Sequence, residues 1–276
     1  MSESLHDVVS SDVMMRAKKS LGQNFLMHAR IAERIVLSAK LPPDSVVFEI
    51  GPGTGMLTRE LLKRVGKVIA LEADEELFLK LQTTFAPEIT EHKLELTHGD
   101  IRTFDITSLP KGYSLVANIP YYLTGEIFRM FLESNNQPST MALLVQKEVA
   151  ERIALSKKES ILSLSVKAYG TPKREFVVPR GAFVPAPKVD SAVLTVSNIS
   201  RKNFSTREEE QYFFALIHAG FAHKRKFVRK NLAGFNLPLE LLDALHPVGC
   251  PDAGARAEDL PLQSWLDLVH AQYTYP

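Results

Sequence analysis

The sequence predicts an α/β protein: a mostly parallel sheet carrying an antiparallel pair of strands at its edge, followed by a small helical C-terminal unit. Three observations predict it. Short apolar runs rich in β-branched residues alternate with mostly helix-length segments between residues 46 and 146, the pattern of βαβ units. Two further strand-like runs, REFVV (174–178) and SAVLTV (191–196), are joined by a loop holding Pro179, Gly181, Pro185 and Pro187, which suits an antiparallel addition. Past the polar stretch SNISRKNFSTREEE the texture is helical almost to the end.

Taken in order, VVFEI (46–50) reads as the first strand, and EIGPGTG (49–55) follows it into LTRELLKRV, an amphipathic helix. VIALE (68–72) is the second strand. LEL (94–96) is weaker, but HGD and a proline-containing connection follow it, as at a strand end. SLVAN (114–118) and MALLVQ (141–146) complete the parallel set. In the tail, Thr206 stands three residues before Glu209, a capping box, and Glu208 to Glu210 complement the positive end of a helix. A chain of 276 residues then divides into a domain at 1–200 and a helical domain at 201–276.

Composition narrows the class. Hydrophobic residues at 45% and charged residues at 24% exclude a disordered or low-complexity chain. The single cysteine, Cys250, supports neither an internal disulfide nor a thiolate metal site, so a reducing, cytoplasmic setting and no metal are expected. The first twenty residues show no signal-peptide pattern, and no run of eighteen apolar residues suggests a membrane span. Net charge is only +1, yet residues 147–188 carry 9 basic side chains against 4 acidic ones after a mildly acidic middle, a distribution that a polyanion-binding face needs and that chance also produces.

The chemistry gathers at strand ends. Glycines at 51, 53 and 55 permit a tight turn and close ligand approach. A ligand-free turn reads the same way, and a dinucleotide fingerprint places its third glycine one residue later. Glu72 can accept from both ribose hydroxyls of a nucleoside, and Asp100 from an exocyclic adenine amine, with Ile101 packing on the ring. Asn118-Ile119-Pro120-Tyr121 moves the question from binding to reaction. An asparagine oxygen and a neighbouring carbonyl, held rigid by proline, aim two acceptors at one amine and free its lone pair for attack on a sulfonium methyl. Tyr121 offers a face for an extruded base. An Asn-Pro turn with buried tyrosines is the plain alternative. In the tail, Lys224, Arg225, Lys226, Arg229 and Lys230 lie late in a helical segment; RNA phosphates or a solvated helix end would each account for them.

Four stretches, Lys19 to Leu26, Glu49 to Gly55, Asn118 to Tyr121 and Phe183 to Ser191, together resemble the ribosomal RNA adenine dimethyltransferases that use S-adenosylmethionine. The resemblance spans about residues 16–200 and implies a Rossmann-like class I methyltransferase sheet. It implies that Gln23, Asn24 and Leu26 close over the cofactor, Gly51 and Gly53 line its methionine part, Glu72 holds ribose, and Asp100 with Ile101 holds adenine. It also implies that Asn118 and the Ile119 carbonyl activate the target amine while Tyr121 and Phe183 sandwich the base. Ala222 to Leu232 is similar to the basic helix of the small-subunit branch, departing at His223-Lys224 and Phe227-Val228. The expected activity is dimethylation of two adjacent adenosines in a small-subunit rRNA hairpin loop, by a monomer acting on a pre-ribosomal particle. A large-subunit adenine methyltransferase and an RNA-binding assembly factor on the same scaffold are the alternatives.

Overall fold

The computed structural model describes residues 22–235, 237–238, 241–242, 245 and 254–274. Residues 1–21, with Lys19 to Leu21 of the first motif, and Cys250 lie outside them.

Strands β2 (Val46–Ile50), β3 (Lys67–Glu72), β4 (Leu94–His98), β5 (Ser114–Asn118), β6 (Thr140–Gln146), β7 (Thr171–Val178) and β9 (Ser191–Ser197) form one sheet in the order β4-β3-β2-β5-β6-β9-β7. The first five are parallel, and β9 runs antiparallel to both β6 and β7. Successive side chains of a strand point to opposite faces, and the core divides accordingly. Phe48, Leu115 and Met141 pack on one side of the sheet with α5 (Thr124–Leu132) and α7 (Ile161–Tyr169). Val47, Val116 and Ala142 pack on the other with α1 (Ala29–Ser38) and α2 (Met56–Leu62). Burial on both faces explains why the central strands read as nearly unbroken apolar runs.

The faint third run has a positional cause: β4 is an edge strand and only Leu94 in it is buried. The opposite edge is β7, where Pro172 is tolerated and the register shifts between Arg174 and Phe176. One pairing was invisible in the sequence. Phe25–Leu26 (β1) and Phe183–Val184 (β8) form a separate two-stranded antiparallel sheet that joins the first and last motifs.

Of the remaining helices, α3 (Glu75–Thr84) is capped by Asp74, α4 (Ala86–Thr90) is a single short turn, and α6 (Lys147–Ala154) follows β6 directly. The C-terminal segment holds α8 (Arg207–Gly220), α9 (Val228–Asn231) and α10 (Leu262–Thr274). Its apolar side chains, Phe213, Leu216 and Trp265 among them, continue the core on the α5 and α7 side. A buried carboxylate fastens the junction: Glu210 accepts from Tyr169 Oη and from Arg201 Nε at 3.2 Å. The capping box at α8 is shifted from its expected form. Thr206 Oγ1 accepts from the Glu209 N–H, but the Glu209 carboxylate reaches back to the N–H of Ser205, one residue earlier than a box requires. No helix among the described residues is long and apolar enough to cross a membrane.

Candidate active site

In open parallel sheets, ligands bind outside the carboxyl ends of the strands where the strand order reverses. Here the chain builds outward from β2 through β3 to β4, then returns to the other side of β2 with β5. A cleft lies at that point, lined by the ends of β2, β3 and β5, the segment after β4, β1, and Phe183 of β8.

The glycine turn divides its work. Gly51, Gly53 and Gly55 all have positive φ, at 64°, 60° and 78°. A Cβ on Gly51 would meet nothing within 4 Å, so this residue keeps the cleft floor open. A Cβ on Gly55 would lie 2.6 Å from the Phe85 ring, so the third glycine serves helix packing.

Glu72, buried at the end of β3, organises the turn: Oε2 accepts from the Gly53 N–H and Oε1 from the Asp74 N–H, each at 2.9 Å. Burial is the main influence raising its pKa. Gln23 donates to the Asp74 carboxylate at 3.2 Å, which ties the N-terminal segment to this wall. Leu26 is buried in β1 and also lines the cleft.

Asp100 is not the unengaged acceptor its position suggested. Arg102 donates Nε to both its oxygens at 3.1 Å and holds its pKa down. The pair is largely exposed, where ion pairs are weak, so an entering donor can displace the guanidinium. Ile101 beside it is buried and presents an apolar wall.

At the end of β5, Asn118 Nδ2 donates to the Asn24 carbonyl at 3.1 Å. That bond fixes the amide so that Oδ1 is the acceptor left for the cleft. Ile119 is buried, and Pro120 leads into a 3₁₀ turn over Tyr121–Leu123. The Tyr121 hydroxyl lies 2.7 Å from Ser191 Oγ, which fixes its half-buried ring, and burial raises the phenol's pKa. Phe183 is 3% exposed, so its ring forms part of the inner wall and is not an open stacking face.

The basic run also departs from expectation. Its cations do not sit on the last turn of a long helix: α8 ends at Gly220, where the Trp265 ring leaves no room for a Cβ. Lys224, Arg225 and Lys226 stand on the following turn, Arg229 and Lys230 on α9, all exposed around Phe227. Asn231 Nδ2 donates to the Gly220 and His223 carbonyls and pins that turn. The helix-dipole explanation for the cluster therefore lapses for Lys224 to Lys226.

Sequence reasoning missed Glu49 and Tyr122. Tyr122 is an exposed ring at the rim of the cleft. Glu49 is 1% exposed, lines the cleft, and has a buried Oε2 without a hydrogen-bond partner. Burial, reinforced by the charge of Glu72, pushes its carboxyl up to about 8. An acid inside the buried run VVFEI was the available signal, because charged residues are almost never buried unpaired without a reason. A raised carboxylate pKa means the unfolded state binds fewer protons than the folded one between the ordinary Glu range and about pH 8. Stability then falls as pH rises through that window. The Tm of Glu49→Gln relative to wild type should climb steadily from pH 5 to pH 8; parallel Tm profiles would refute the neutral carboxyl.

Comparisons with known proteins identify the family. The family model of ribosomal RNA adenine dimethylase matches residues 14–271. A ribosomal RNA small subunit methyltransferase A from Dehalococcoides mccartyi is 40% identical over 265 residues, covering 94% of this chain and 90% of its own. The protein of the same name from Bacillus pumilus is 39% identical over 231 residues, 80% of this chain and 77% of its own. Among solved structures, the 23S rRNA methyltransferase ErmE aligns with a TM-score of 0.74 at 26% identity, over 90% of this chain and 99% of its own. A dimethyladenosine transferase from Plasmodium falciparum gives 0.73 at 25%, over 88% and 95%. With a matching model from residue 14 to 271 and a Rossmann-like sheet whose strand ends hold the glycine turn, Glu72 and Asn118 around one cleft, the chain belongs to the ribosomal RNA adenine dimethylase family.

Proposed function

We propose that this protein transfers methyl groups from S-adenosylmethionine to the N6 amines of two adjacent adenosines in a small-subunit rRNA hairpin loop, as a cytoplasmic monomer acting on a pre-ribosomal particle during ribosome biogenesis. The fixed orientation of the Asn118 amide carries the reading. With Nδ2 committed to Asn24, Oδ1 and the Ile119 carbonyl can both accept from one amine. Two such bonds draw the nitrogen away from planar conjugation and aim its lone pair, so positioning and fixed dipoles replace a strong base. The amine's proton is lost to solvent after transfer.

The residues fit the cofactor. The open floor over Gly51 admits a chain that any Cβ would obstruct, Glu72 and Asp100 offer carboxylate acceptors to a nucleoside, and Ile101 offers an apolar wall. When bound, S-adenosylmethionine supplies the electrophilic methyl. Gln23, Asn24 and Leu26 cover it, Gly51 and Gly53 hold its methionine end, and Glu72 holds its ribose. Tyr121 offers the stacking face for the target base, with Phe183 as part of the inner wall, and the base must be unpaired because side chains cannot reach this atom within an A-form helix.

In this reading residues 1–200 catalyse and residues 201–276 help hold RNA through Lys224, Arg225, Lys226, Arg229 and Lys230. Charge reversal at Lys224, Arg225 and Arg229 should weaken binding to small subunits and flatten its dependence on salt, with cofactor affinity unchanged. Filter binding across a salt series measures it; an unchanged slope would return the run to a merely solvated surface. Likeness to ErmE favours a second reading, methylation of large-subunit rRNA. Single-turnover transfer of labelled methyl groups to unmethylated small and large subunits decides between them, and mass spectrometry of both rRNAs from a strain lacking the protein locates the sites.

A further inference from the structure

We propose that Lys147, Arg180 and Lys188 form a phosphate clamp beside the Tyr121 wall of the cleft, gripping the backbone of single-stranded RNA beside the target nucleotide. The proposal rests on the reading of the cleft as a site for an extruded RNA base, and it places RNA contacts on the catalytic domain, apart from the basic tail.

Three separate segments meet at Asp190 and Ser191. The Lys147 N–H donates to the Asp190 carbonyl, and the Arg180 N–H donates to Asp190 Oδ1, each at 3.0 Å. Lys188 is two residues upstream on the same strand of chain. Ser191 carries the hydroxyl that holds Tyr121 Oη at 2.7 Å. The backbones of the three cationic residues are therefore brought next to Ser191, the residue that holds the ring on which the target base is expected to stack. Their side chains stand unpaired: elsewhere Arg64, Arg102, Arg174 and Arg201 are neutralised by carboxylates, but none of the three makes an ion pair among the described residues. Two acids stand near them. The Asp190 carboxylate is engaged by the Arg180 N–H, and Glu148 occupies the first turn of α6, where the helix dipole favours an acid. Lys147 stands at the first position of that helix, where the dipole disfavours a cation. The helix dipole gives no account of a lysine there, whereas a phosphate bound beside Tyr121 does.

An unpaired cation releases bound counterions when it meets a phosphate, at about 0.7 in the slope of log affinity against log salt for each contact on a single strand. Replacing Lys147, Arg180 and Lys188 together by Gln should flatten that slope by about 2 for single-stranded RNA and weaken binding roughly tenfold at low salt. KM for RNA should rise more than kcat falls, and S-adenosylmethionine affinity should not move. The charge-preserving set Lys147→Arg, Arg180→Lys and Lys188→Arg should restore the slope. If the triple variant does not fold, single Gln substitutions at exposed Arg180 and Lys188 should each lower the slope by about 0.7. A folded Gln variant with the wild-type slope overturns the clamp. A wild-type protein that binds RNA through the clamp yet transfers no methyl group overturns the proposed function alone.

Discussion

Asn118→Ala is expected to transfer methyl groups about 10²–10³ times more slowly than wild type while binding the cofactor with nearly unchanged affinity. The magnitude is that of losing one preorganised polar contact to the transition state. The split follows from when the contact forms: Oδ1 accepts most strongly as the amine becomes tetrahedral, so its loss falls on rate more than on binding. A turn-forming asparagine behaves otherwise. Its removal would break the bond to Asn24, cost stability, and leave turnover of the folded fraction near normal. Tyr121→Ala should differ from both, weakening productive RNA binding by about 1–3 kcal/mol because stacking holds the base before and during reaction. Tyr121→Phe, which loses only the link to Ser191 Oγ, should keep most of that binding. Single-turnover transfer to unmethylated small subunits, with cofactor affinity measured in parallel, separates the cases. Wild-type transfer by a folded, cofactor-saturated Asn118→Ala would eliminate the proposed amine activation.

The sheet was legible because its central strands are buried on both faces and must be apolar at nearly every position, as in VVFEI and SLVAN. Edge strands carry less of that constraint, and β4 extends to His98 through residues that solvent tolerates. The cleft was legible at the glycine turn, Glu72 and Asn118, because each ends a strand and strand ends are ordered by topology. What escaped depends on contacts distant in sequence. The β1–β8 pairing joins Phe25 to Val184, and no local periodicity reports it. The Asp100–Arg102 pair is local, two residues apart, and escaped for another reason: the direction of the Arg102 side chain is set by the fold. The end of α8 was hidden for a related reason: Gly220 stops there under the Trp265 ring, 45 residues downstream, whereas the sequence after it continues with good helix formers.

The structure also changes what a substitution at Glu72 tests. Glu72→Ala is expected to weaken S-adenosylmethionine binding by roughly 1.5–3 kcal/mol through loss of charge-assisted bonds to the ribose. Yet the same carboxylate accepts from the N–H groups of Gly53 and Asp74. Its removal leaves both donors without their acceptor and loosens the turn over which the methionine end would lie. Glu72→Gln separates the contributions, because a single amide oxygen can replace only one of the two carboxylate oxygens while its NH₂ group cannot accept from the other N–H. Affinity should therefore fall in the order wild type, Gln, Ala. Amide hydrogen exchange at Gly53 and Asp74 should quicken in the same order without ligand, since local opening needs less free energy once those bonds are gone. Calorimetry and exchange on the same samples distinguish a ribose contact from a purely architectural acid. Exchange that quickens while affinity stays at the wild-type value would make Glu72 a brace for the glycine turn and remove it from the ligand's contacts.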